Sequence, residues 1–383
     1  MNNNLKVKVK NKTCGKLLHE NTEYIFSYDS EDDDDFISLT MPVRAKDYVH
    51  TQLHPVFEMH LPEGYLLSII KKHFSKFEKT DDFGLLRLIS SKIEGRVSYE
   101  KEIEGKLNTL TLEHLLHSNN DNLFDELVTR FALNSAISGV QPKVLAKVED
   151  KATLSFKEYI VKSWGNDYPH LALNEYYCML VVKKANLSVA EFYISDDAKL
   201  FVMKRFDILE NNESLGFEDM CVLQAKARED KYQGSYEQIA KTIKIFVSAK
   251  NKKVALRDFF KMIVINNLVK NGDAHLKNFG LLYADIDNIR LAPAYDVVCT
   301  TLYINHDIPA LHLLGSKKWW EKKFLLRFGK ESCGLSPKEV NDLYDECLNA
   351  LQEVCYEIEN KIKDETNSET QQFLQKLLVE FTL

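Results

Sequence analysis

A change of hydrophobic period near residue 207 constrains this chain more than any other feature. Beyond it, apolar residues recur at helical spacing. Residues 257–270 carry Phe259, Phe260, Ile263, Val264 and Leu268. Residues 337–363 carry Leu343, Cys347, Leu351, Val354, Ile358 and Ile362, and Phe373 to Phe381 repeat the pattern. Stripes of this kind are core faces of helices. Residues 1–60 run in short alternating stretches, such as Tyr24-Ile25-Phe26 and Phe36-Ile37-Ser38-Leu39, which predict strands and turns. Two further strands are expected at Tyr159–Lys162 and Leu200–Met203, with a helix near 172–186 between them.

Other segments divide the first half. Leu66, Ile69, Ile70 and Phe74 predict a helix after Pro62-Glu63-Gly64, and Phe83-Gly84-Leu85-Leu86 opens another. The polar stretch Asn119-Asn120-Asp121-Asn122 marks a boundary. Three regions result: 1–125, then 126–207 as a small sheet with one helix, then 208–383 as a mostly helical unit. The fold class is α+β.

Composition limits the function classes. A net charge of −7 does not call for a general nucleic-acid binder, whose affinity rests on a basic surface. Seven cysteines without a C-x-x-C speak against a disulfide framework or a zinc site, and favour reduced thiols in a cytoplasmic protein. The start, MNNNLKVKVKNKTCG, lacks an apolar h-region, so no secretory signal is expected; export as an effector stays open. No apolar run reaches the roughly 18 residues of a membrane span. The acidic run Glu31 to Asp35 lacks the glycine and distal glutamate of a calcium loop and is expected to be a solvated loop.

The chemistry concentrates in Asn271-Gly272-Asp273-Ala274-His275-Leu276-Lys277-Asn278, directly after an apolar helix. So many polar groups beside a buried element are unfavourable unless paired or used. Asp273 and Asn278 have the D-x-x-x-x-N spacing of a kinase catalytic loop, where the aspartate takes the substrate hydroxyl's proton and the asparagine holds magnesium. Lys277 adds a cation for the transferred phosphate. Asp296 follows a predicted hairpin, Leu281–Tyr283 with Ile289–Leu291, where a second metal carboxylate would be needed. Lys162, at the end of an apolar strand, can reach nucleotide phosphates, with Glu175 as its ion-pair partner; a solvated strand-end lysine is the alternative. Ser138-Gly139-Val140-Gln141-Pro142-Lys143 is a turn whose backbone amides could cradle phosphate.

At these residues the sequence resembles the HipA family of bacterial serine/threonine kinase toxins. The resemblance is carried in order by Leu61–Gly64, Phe83–Leu86, Ser138–Lys143, Asn174–Cys178, Lys204–Asp207, Glu218–Cys221, Asp273–Asn278 and Tyr295-Asp296. It implies a bilobal protein-kinase-like fold with an extra N-terminal α/β subdomain, which some relatives carry as a separate chain, HipS. It implies ATP and Mg2+ as cofactors, with Asp273 as base and Asn278 and Asp296 as metal ligands. Ser138, Gly139, Gln141, Lys143, Lys162 and His275 would contact ATP, and Met203, Arg205 and Phe206 would form the hinge beside adenine. Ser138 would be the autophosphorylated residue, because Ala136 occupies the family's usual first serine position. Implied partners are an aminoacyl-tRNA synthetase or another translation factor as substrate, and a HipB-like helix-turn-helix antitoxin that makes contact with DNA only indirect.

Two other classes stay open on the residues alone. A metal-dependent phosphoesterase could use Asp273, His275 and Asp296, although His275 alone is few histidines for a two-metal site. A non-catalytic ATP-binding co-repressor module is the second.

Overall fold

The computed structural model describes residues 4–61, 81–90, 93, 95–100, 112–117, 143–150, 155–163, 168–211 and 213–382, and only the backbone of 88, 114, 143–150, 155–158 and 163. The expected helix through Leu66 and Phe74, the polar stretch at 119–122, and Ser138, Gly139 and Gln141 lie outside the described residues.

The first region is an antiparallel sheet with helices on one side. Its elements are β1 (Asn4–Val9), β2 (Lys12–Glu20), β3 (Glu23–Tyr28), β4 (Tyr48–His50), α1 (Pro55–Glu58), α2 (Asp82–Ile89) and β5 (Val97–Tyr99), in sheet order β4-β3-β2-β1-β5. Alternation decides which face is covered: Val7 and Val9 are buried, while Lys8 between them is half-buried and Lys6 before them is exposed. The acidic run is not simply solvated. Asp32 caps a short 3-10 turn, and Asp35 is buried against Lys12 Nζ at 2.7 Å. A short helix, α3 (Leu112–His117), follows.

The second region is a four-stranded antiparallel sheet. It comprises β6 (Lys143–Asp150), β7 (Ser155–Ser163), α4 (Leu171–Lys184), β8 (Phe192–Ile194) and β9 (Leu200–Lys204), in the order β6-β7-β9-β8. Both faces are covered. Tyr159, Val161, Leu200 and Val202 join the core of the first region, with Phe26 and Phe57. Phe201 and Met203 join the core of the helical region instead. Because a strand alternates faces, Lys162, between Val161 and Ser163, is turned toward α4 and the helical region.

The third region begins with a strand that periodicity did not announce. β10 (Gly216–Asp219) pairs with β11 (Gly280–Tyr283), which pairs with β12 (Ile289–Leu291). The expected hairpin is therefore two strands of a three-stranded sheet. Four residues of β10 are too few for an alternation signal. The helices are α5 (Met220–Leu223), α6 (Tyr236–Phe246), α7 (Ala249–Leu268), α8 (Lys322–Glu331), α9 (Pro337–Asp364) and α10 (Ser368–Thr382). The predicted stripes form their shared core, including Phe259, Phe260, Phe328, Val354 and Leu374. Ser336 and Glu339 form a capping box at α9, with Pro337 at its first turn. All seven cysteines are free thiols. Among the described residues, no helix is long and apolar enough to cross a membrane.

Glu218 joins the first region to the third. Its carboxylate accepts hydrogen bonds from Ser38 Oγ at 2.6 Å, from the Leu39 amide at 2.8 Å and from the Tyr283 hydroxyl. Burial pushes this carboxyl up despite those donors.

Candidate active site

The polar loop begins where α7 ends. Lys270 turns left-handed at φ 53°, and Asn271 folds back, donating from Nδ2 to Asn266 Oδ1 at 2.7 Å and accepting the Asp273 amide at 3.1 Å. Gly272 donates its amide to Thr300 Oγ1 at 2.7 Å, and a Cβ there would collide with the Asp307 carboxylate. A side chain cannot be accommodated at that approach. Asp273 is thus held by its neighbours' backbone and amide groups. The loop closes in a 3-10 turn, Leu276–Asn278.

Asn278 and Asp296 meet beyond this turn. Asn278 Nδ2 donates to the Asp296 carbonyl at 3.3 Å, while its buried Oδ1 accepts no hydrogen bond among the described residues. Asp296 has φ 62°, a left-handed conformation that aspartate tolerates better than most residues. Tyr295 fixes the segment by donating to the Lys277 carbonyl at 2.8 Å.

Lys162 is buried, which rules out the solvated strand-end alternative. Its Nζ lies 2.5 Å from Glu175 Oε1 on α4 and 2.6 Å from Asp296 Oδ1. Burial alone would lower the ammonium's pKa, but the Asp296 and Glu175 carboxylates outweigh it and the net shift is upward. α4 is locked to the Asp296 segment by Asn174. This side chain donates to the Cys299 carbonyl at 2.9 Å and accepts the Cys299 amide at 2.8 Å.

The other expected residues fall as follows. His275 is buried, its Nε2 4.0 Å from Asp273 Oδ1. Lys277 is half-buried with its side chain largely covered, its Nζ 4.0 Å from Asp219 Oδ2, while Asp219 Oδ1 caps α5. Met203 is in the core. Arg205 forms a two-pronged pair with Asp207. Phe206 packs against Phe217 and Tyr295 at ring distances of 5.5 and 5.6 Å, which brings the exit of β9 beside the residue preceding Asp296. Lys143 opens β6 opposite Lys162 in the strand register. No sequence signal marks Asn174 and Glu218 as contact makers, because buried amides and carboxylates leave no periodic trace.

Sequence models of two domains match the chain: the HipA N-terminal domain over residues 5–100 and the HipA-like C-terminal domain over residues 135–355. The chain belongs to the HipA-like family. The fold agrees. The HipA structure from the Shewanella oneidensis MR-1 toxin–antitoxin complex with HipB and operator DNA matches with a TM-score of 0.74, covering 98% of this chain and 95% of that one at 18% identity. A Haemophilus influenzae protein named “Putative kinase” is 32% identical to this HipA-like chain over 205 residues. The similarly named Y4dM of Sinorhizobium fredii is 29% identical over 211 residues. Those alignments cover 48% and 49% of this chain and span only 59% and 50% of the relatives' own lengths.

Proposed function

We propose that this chain is an ATP- and magnesium-dependent serine/threonine protein kinase of the toxin type. The observation that carries the reading is the meeting of Lys162, Glu175 and Asp296 beside Asn278, whose buried Oδ1 is left for a ligand. A lysine on a strand, its helix glutamate, and a pair of oxygen donors are the parts that phosphoryl transfer requires.

The residues fit a magnesium ion. Asn278 Oδ1 and the Asp296 carboxylate would hold it, and both are oxygen donors suited to a hard cation. Among the described residues no three His, Cys, Asp or Glu side chains form a cluster for a metal, so nucleotide phosphates and water would complete the shell. Magnesium there would neutralise charge on the transferring phosphoryl group.

The chain's own groups do the rest. Lys162 would bind nucleotide phosphates, with Glu175 keeping its ammonium in place. Met203, Arg205 and Phe206 would line the adenine end, and Lys277 and His275 would support the phosphate end. The hydroxyl oxygen of a substrate serine or threonine attacks the γ-phosphorus, the bond to the bridging oxygen breaks, and ADP leaves with the electron pair. Asp273 accepts the hydroxyl proton.

The regulatory reading follows the family resemblance. Phosphorylation of Ser138 would add about −1.5 to −2 charge to the loop with Gly139, Gln141 and Lys143, and so oppose ATP binding. The Shewanella complex supports a HipB-like partner, with DNA reached through it. A translation protein such as an aminoacyl-tRNA synthetase is the proposed substrate.

The test is incubation with Mg-ATP and a bacterial lysate, followed by mapping of phosphate by mass spectrometry. The reading expects phosphoserine or phosphothreonine on a translation protein and on Ser138. ATP binding without any transfer would favour the non-catalytic module. Release of phosphate from a simple phosphoester without ATP would favour a phosphoesterase.

A further inference from the structure

The short turn Arg228–Tyr232 precedes α6 and lies beside the Asp273 loop. The Tyr232 hydroxyl donates to Asp273 Oδ1 at 2.7 Å. Its ring meets His275 edge-on, with centroids 5.0 Å apart, and the Lys231 ammonium lies 5.4 Å from the ring centre. The Tyr232 carbonyl accepts from Lys317 Nζ at 3.3 Å. The other end of the turn is tied to the N-terminal subdomain. The Arg228 amide donates to Glu58 Oε2 at 2.9 Å, and the Arg228 guanidinium donates to Asp82 Oδ1 at 2.9 Å.

We propose that Tyr232 is a positioning residue for Asp273, and that the N-terminal subdomain holds it in place through Arg228. The inference rests on Asp273 being the base. An aspartate carboxylate rotates about a broad, nearly two-fold torsion, so its position alone does not aim its oxygens. A phenol donating to one oxygen sets that torsion and favours the ionised form, which is the form able to accept a proton. Tyr232 is 41% exposed, so the hydrogen bond does little for folding and its effect is local. The rival arrangement is a placeholder: a hydroxyl 2.7 Å from the base is also where a substrate hydroxyl would stand. The two differ in sign. A positioning group speeds transfer, whereas a placeholder slows it.

The experiment measures the rate of phosphate transfer from Mg-ATP onto the chain itself, with the ATP half-saturation, for wild type, Tyr232→Phe, Asp273→Asn and the double variant. Active-site content is fixed by ATP-binding stoichiometry. We expect Tyr232→Phe to lower the maximal rate about 10-fold, a fraction of what a general base contributes, without changing ATP half-saturation or stoichiometry. In the Asp273→Asn background it should have no further effect, which a merely structural role would not produce. Asp82→Asn should cause a smaller fall, absent when Tyr232 is already phenylalanine. A Tyr232→Phe rate equal to or above wild type, with Asp273→Asn inactive, overturns the positioning role. An unaffected Asp82→Asn rate overturns the anchoring. Full activity of Asp273→Asn, or no transfer by wild type, refutes instead the base assignment or the kinase reading beneath it.

Discussion

Lys162 Nζ lies 2.6 Å from Asp296 Oδ1 across 134 residues of chain, and the same nitrogen lies 2.5 Å from Glu175 Oε1. One ammonium therefore joins the central sheet, α4 and the segment after the hairpin. Removing one partner of a buried pair costs more than the pair contributes, because the remaining charge keeps its desolvation penalty. Lys162→Met should lower unfolding free energy by about 3–5 kcal/mol in a denaturant titration. Lys162→Met combined with Glu175→Leu should recover part of that loss but no kinase activity.

Asn278 gives the opposite balance. Its Nδ2 makes one long hydrogen bond and its Oδ1 makes none among the described residues, so the folded chain loses little with it. Asn278→Ala should change stability by less than about 1 kcal/mol. On the proposed reading it should nevertheless reduce transfer at least about 100-fold and raise the Mg2+ needed for half-maximal rate. Thermal melts and a Mg2+ titration check both halves.

Glu218→Ala would take the shared acceptor from the buried Tyr283 hydroxyl, from the half-buried Leu39 amide and from the Ser38 hydroxyl, which keeps Thr40 Oγ1 at 2.8 Å. At about 1–3 kcal/mol for each group left unsatisfied, the loss should be about 2 kcal/mol or more. Because two of the donors belong to the N-terminal region, limited proteolysis should cut between that region and the rest sooner than in wild type.

Glu58 gives a pH dependence. Burial is the larger influence and pushes its carboxyl up to about 7 from an ordinary 4.5, while the Arg228 amide pulls the other way. The fold thus binds the proton more tightly than the unfolded chain. Its stabilising contribution is complete below 4.5 and is lost as pH rises through about 7. His54 and His60, which burial pushes down to about 4, act in the opposite sense up to 6.5, so Glu58 is isolated by comparison: the melting temperature of wild type relative to Glu58→Gln should fall across that window. Glu339, held down to about 2 by its hydrogen bonds with Ser336, loses its contribution only below 4.5 and does not interfere.

How far the sequence could be read depended on the kind of signal. The stripes Phe259–Leu268 and Leu343–Ile362 gave helices because a core face repeats every turn. The alternation Tyr159-Ile160-Val161-Lys162 gave a strand, but not that both of its faces are covered, since that depends on what packs from outside. The spacing of Asp273 and Asn278 was readable because both sit on one short loop. The contacts of Asn174 with Cys299, of Glu218 with Ser38 and of Tyr232 with Asp273 join segments distant in sequence, so no local pattern could announce them.

The most direct test of the central claim compares the single-turnover rate of phosphate transfer from Mg-ATP for wild type and Asp273→Asn, with ATP affinity measured on both. Loss of the base should slow transfer by about 100-fold to 10,000-fold while ATP still binds as in wild type. Transfer by Asp273→Asn at the wild-type rate would contradict the account.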